Sequence, residues 1–129
     1  MLRNSLLLSV SVIALFATHS LAGFSNWQTY YKAGLEVSVD PFRRADAESM
    51  YQAALRDAQF FCVPENDITP VLLALADLQC KKGQPMQAIQ LYERVLKIYR
   101  SNGDGRSQEA SDCAQKLMQC KNALSQNQT

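Results

Sequence analysis

Residues 88–99 read Ala-Ile-Gln-Leu-Tyr-Glu-Arg-Val-Leu-Lys-Ile-Tyr, with apolar positions at Ala88, Leu91, Tyr92, Val95, Leu96 and Tyr99. Steps of three, one, three, one and three trace one face of a helix with 3.6 residues per turn. Residues 47–58 read Ala-Glu-Ser-Met-Tyr-Gln-Ala-Ala-Leu-Arg-Asp-Ala and repeat those steps at Ala47, Met50, Tyr51, Ala54, Leu55 and Ala58. Each lies 41 residues before its counterpart, with Tyr51 over Tyr92 and Leu55 over Leu96. Six positions that agree in spacing and character indicate an internal repeat. Small Ala47 and Ala88, each close after a turn, let a preceding helix approach closely.

The rest of the chain arranges itself around these two segments as five helices. Residues 27–39 form the first. Asp40-Pro41 supplies a cap and a proline at the first helical position, opening a second helix that runs to about Cys62. After the loop 64–67, Thr69-Pro70 repeats that start for a third helix, which Gly83 ends. Gln84-Pro85 opens the fourth, reaching about Ser101; Asn102-Gly103-Asp104-Gly105 breaks the chain; Ser107 caps a fifth that ends near Leu124. Residues 125–129 read as a flexible polar tail.

Leu72, Leu75, Ala76 and Gln79 precede Gly83, Ala88 and Tyr92 at informative distances. This resembles the tetratricopeptide repeat, whose pattern runs aromatic-x2-Leu-Gly-x2-Tyr and then Ala-x3-aromatic. Leu72 stands at the first aromatic, Leu75 at the leucine, Ala76 at the small residue, Ala88 and Tyr92 in the second half, and Gly83 at the turn between them. Gln79 replaces an aromatic, and Arg100 stands where proline is frequent. The period of 41 to 42 exceeds the usual length of about 34 residues and is similar to the kinesin-light-chain subtype. Gly34 matches the small-residue region of a first unit, while Leu117 and Met118 start a third, 42 residues after Leu75 and Ala76. The resemblance implies an all-α solenoid of stacked antiparallel helical hairpins, about two and a half repeats over residues 23–124. A hairpin of this kind buries too little apolar surface alone, so neighbours must stack.

The first 22 residues read as a secretory signal peptide. Met1 and Arg3 give a positive start, residues 6–17 are apolar, and Ser20-Leu21-Ala22 offers a cleavage site. The apolar run falls short of the roughly 20 residues that span a bilayer. An exported protein, periplasmic or secreted, is therefore expected. The chain carries 13 basic and 12 acidic residues, and Arg3 is the surplus charge. A balanced mature chain lacks the clustered positive charge that nucleic acid or an anionic membrane requires.

Export removes His19, the sole histidine. That excludes Ser-His-Asp and Cys-His catalysis and histidine-bearing zinc sites, and paired carboxylates are not evident, so an enzyme is not expected and no cofactor is implied. Gly103-Asp104-Gly105 lacks the strand and third glycine of a dinucleotide fingerprint and the acidic ligands of a calcium loop. Four cysteines, Cys62, Cys80, Cys113 and Cys120, allow three disulfide pairings. In the stacked arrangement that the resemblance implies, Cys80 and Cys120 end neighbouring first helices and are candidates to pair. As buried thiols instead, Cys62 would continue the stripe of Leu55 and Ala58, and Cys113 and Cys120 would share a face with Leu117 and Leu124.

The resemblance and the helical spacing place a concave groove along the first helix of each unit, lined by Lys32 and Glu36, then Leu73, Asp77 and Lys81, then Gln115 and Gln119. Such side chains can hydrogen-bond an extended peptide. The same residues also make the wet face that any amphipathic helix has. The expectation is a protein-binding module that takes a protein or extended peptide. The alternative is a disulfide-stapled structural subunit of an envelope or surface assembly, self-associating through its open ends. Trp27, Tyr30 and Tyr31 would cap one such end, and the basic pairs Arg43-Arg44 and Lys81-Lys82 would be solvated helix ends.

Overall fold

A computed structural model describes residues 25–127; the signal-peptide reading of residues 1–22 and the last two residues of the tail lie outside them. The described chain is all-helical, in five helices: α1 Trp27–Ser38, α2 Arg44–Phe60, α3 Thr69–Lys81, α4 Pro85–Ser101 and α5 Gln108–Gln126. Sequence neighbours pack against one another, and α1 also reaches α3.

Local chemistry sets most boundaries. The Asp40 carboxylate accepts the Phe42 N–H at 2.9 Å, but what it caps is a short 3-10 turn, Pro41–Arg43, and α2 begins after it. Thr69 is no cap: it sits inside α3, and its hydroxyl donates back to the Glu65 carbonyl at 3.3 Å. Ser107 caps α5, accepting from the Ala110 N–H at 3.1 Å, and α5 runs two residues past the expected end at Leu124. The start of α1 is capped from a distance. Asp57 on α2 accepts the Asn26 N–H at 2.6 Å and the Ser25 hydroxyl at 2.7 Å.

Three helices end in the same way. The Gly83 N–H donates to the Cys80 carbonyl (3.0 Å) and Gln84 to Gln79 (2.9 Å), with Gly83 left-handed at φ +72°. Gly103 and Asp104 close α4 identically onto Arg100 and Tyr99, with φ +82° at Gly103. This double bond satisfies the orphan carbonyls of a helix end and favours glycine at the left-handed position. At the end of α2 that position is Cys62, with φ +53°, its N–H on Gln59 and Val63 on Ala58. The sulfur is therefore turned out of the helical stripe: Cys62 is exposed rather than buried behind Leu55 and Ala58.

α3 runs through the middle and is apolar nearly all round, as a helix covered on two sides must be. Val71, Leu75 and Leu78 join Ala47, Tyr51 and Ala54 of α2 in one cluster. Leu72 and Ala76 join Ala88, Tyr92, Val95 and Leu96 of α4 and Cys113 and Cys120 of α5 in the other. Trp27 is half-buried against both clusters, while Tyr31 lies against the Tyr51 ring at 6.1 Å. Ala47 and Ala88 are both fully buried, and so are Ala54 and Val95. Gln79, the departure from an aromatic, is buried and donates to Glu48 at 2.8 Å. Lys82 pairs with the same carboxylate and holds it below the ordinary glutamate range.

Candidate functional site

Cys80 near the end of α3 and Cys120 on α5 are joined as a disulfide, with Cα atoms 6.9 Å apart. One turn earlier on each helix, Asp77 meets Lys116 at 2.8 Å. All four residues line a cleft of about 420 Å³, in the size range of small-ligand sites. Its floor is the disulfide and Tyr92. Pro85 at the start of α4 and Ala123 on α5 form apolar walls, and the rim carries Lys81, Gln119 and Asn127.

Of the seven residues expected to line a groove, the structure brings Asp77, Lys81 and Gln119 to this cleft. Leu73 is half buried against the α4-side cluster. Lys32 and Glu36 are exposed on α1, and Gln115 is exposed on α5, all away from the cleft lining.

Asp77 is already engaged. It accepts two contacts from the Lys116 ammonium, at 2.8 and 3.0 Å, and a hydrogen bond from the Tyr92 hydroxyl. Burial first, and then this hydrogen bond to a carboxylate, push the Tyr92 phenol far above its ordinary range. Tyr92 therefore remains a neutral donor at all physiological pH, and Asp77 serves to hold α5 against α3. Lys116 and Tyr92 are the site residues that sequence reasoning missed. A signal was present: Asp77 and Lys116 stand one turn before Cys80 and Cys120, so pairing the cysteines pairs the charges.

The remaining basic residues of the two pairs are occupied. Arg43 bridges to Asp46 at 3.0 Å, Arg44 donates to the Lys81 carbonyl at 3.0 Å, and Lys82 pairs with Glu48. The Lys81 side chain has no such partner among the described residues. Cys113 is buried, and burial pushes its thiol up to about 11, so it is a packing group without nucleophilic character. A second depression beside Cys62 is edged by Glu65 and Arg94, which pair with each other at 2.7 Å. Among the described residues no group of three or more His, Cys, Asp or Glu is placed to hold a metal ion, and no helix is long and apolar enough to cross a membrane.

None of the protein-family models, curated proteins or solved structures compared with the chain matches it.

Proposed function

We propose that this chain is an exported tetratricopeptide-like module that binds a protein or an extended peptide and performs no covalent chemistry. The observation that carries the reading is the α3–α5 cleft: concave, apolar at its floor, rimmed by hydrogen-bonding groups and braced by a disulfide and an ion pair. A cleft braced before binding loses little ordering entropy when a partner arrives. The solenoid reading draws support from the equal burial of Tyr51 and Tyr92, 1% exposed at each, and from the contact of α1 with α3 as well as α2.

Affinity capture from the exported fraction of the native cell tests this. The whole chain should retain a defined partner, Ala123→Trp in the cleft should lose it, and charge reversal of Lys32 and Glu36 on α1 should not. Retention by the Ala123→Trp variant moves the function to another face.

The structural-subunit reading has its own support. Phe42, Val39 and Phe60 are 97%, 81% and 80% exposed and all lie outside the cleft. Sedimentation at two concentrations separates the readings: self-association abolished by Phe42→Ser favours the subunit, and a monomer throughout favours the binding module.

A further inference from the structure

The cleft's chemistry narrows what it binds; the inference rests on the protein-binding reading above. We infer that the α3–α5 cleft receives a bulky apolar side chain of the bound segment and that Lys81 holds an acidic side chain beside it. The floor and walls decide the first half. The disulfide, the Tyr92 ring, Pro85 and Ala123 present sulfur and carbon to the interior. The Tyr92 hydroxyl gives its proton to Asp77 and so has no donor left for a ligand. Water against such a surface is replaced favourably by an aromatic or branched aliphatic group.

Charge decides the second half. Three ionised side chains border the cleft: Asp77, Lys81 and Lys116. Asp77 and Lys116 neutralise each other in direct contact, at 2.8 Å. Lys81 is left, exposed and with no side-chain partner among the described residues; Arg44, outside the cleft lining, donates to its backbone carbonyl, and Lys82 pairs with Glu48. The cleft therefore carries one uncompensated positive charge at its rim, with the Gln119 and Asn127 amides as neutral donors alongside. A carboxylate on the partner gains a charge-assisted hydrogen bond there, and a cation is repelled. The occupant is thus a segment that places an aromatic or large aliphatic residue next to Asp or Glu.

Selection of phage-displayed random heptapeptides on the oxidised whole chain tests the proposal. Selected peptides should pair Trp, Phe or Leu with an adjacent Asp or Glu. Ala123→Trp, at an exposed position that tolerates a larger side chain without refolding the core, should weaken them by about tenfold or more. Lys81→Glu should replace the acidic residue by Lys or Arg in a fresh selection. Peptides that lack the pair, or that ignore both variants, overturn the inference and leave the binding reading standing. Selection of no peptide at all, with no partner captured from the native fraction, removes both. Uptake of the apolar anion 8-anilinonaphthalene-1-sulfonate, blocked by Ala123→Trp, in the absence of any selected peptide assigns the cleft to a small molecule and also overturns the inference.

Discussion

Tyr51 and Tyr92 stand 41 residues apart, on α2 and α4, and each is 1% exposed, yet they serve different ends. Tyr51 fills a tight apolar space. A Cβ at Gly34 would come within 2.5 Å of its ring, and the Tyr31 ring lies 6.1 Å from it. Tyr92 packs against Ala76 and Ala88 within the same cluster but turns its hydroxyl to Asp77, which in turn anchors Lys116 of α5. The same place in one apolar pattern can thus be pure packing on α2 and part of a cleft lining on α4. The difference comes from the facing helix: α1 offers glycine and an aromatic, whereas α3 offers a carboxylate and a cysteine tied to the next helix.

The comparison can be broken most forcefully at the tyrosines themselves. Tyr51→Ala and Tyr92→Ala should each cost about 3–5 kcal/mol in urea unfolding, as for other buried aromatics. A loss under about 1 kcal/mol at either would show that the two positions are not equivalent. Next comes the staple, which belongs to the second half alone. Replacing Cys80 and Cys120 together by serine should cost about 2–4 kcal/mol, since the bridge closes a loop with a sequence separation of 40. Hydrogen exchange should locate the loosening in α5 and leave α1 and α2 protected; uniform loss across all five helices would mean that the two halves unfold as one.

Gly34→Ala should destabilise by about 1–3 kcal/mol, because the added carbon meets a buried ring with no room to yield. An unchanged urea midpoint would sink the close-packing account of Tyr51. Removing only the hydroxyls sharpens the contrast further. Tyr92→Phe should lose about 1 kcal/mol, the lower part of the range for a bond to a charged group because the Asp77 side chain is 38% exposed, whereas Tyr51→Phe should stay within about 0.5 kcal/mol of the parent. Equal effects would erase the distinction between the two tyrosines. Finally, Cys62→Gly should stabilise by about 1 kcal/mol by relieving a left-handed non-glycine residue, and Gly103→Ala should cost about as much at the matching end of α4. Opposite signs in thermal melts are the check.

The helices were legible because their signals are local. Alternating steps of three and one, a proline just inside a helix start and a glycine just past its end act within one turn of chain, and α1, α4 and α5 fall close to their expected limits. Thr69 was misread because its hydroxyl had a rival acceptor in the Glu65 carbonyl, which no sequence pattern reveals. The site was legible only in part: Asp77, Lys81 and Gln119 share the cleft, while Leu73 is half-buried against the cluster that α3 forms with α4 and α5.

Sequence alone determined that this protein is helical, roughly where most of its helices lie, and that two of them share one apolar pattern, since all of these depend on residues a few positions apart. Only tertiary structure decided what Asp77 is for, that Lys81 is the rim charge left over, and which face of α3 is covered. Those outcomes depend on groups 30 to 40 residues distant, such as Lys116 to Asp77 and Glu48 to Gln79, whose meeting follows from how whole helices pack and not from any local pattern.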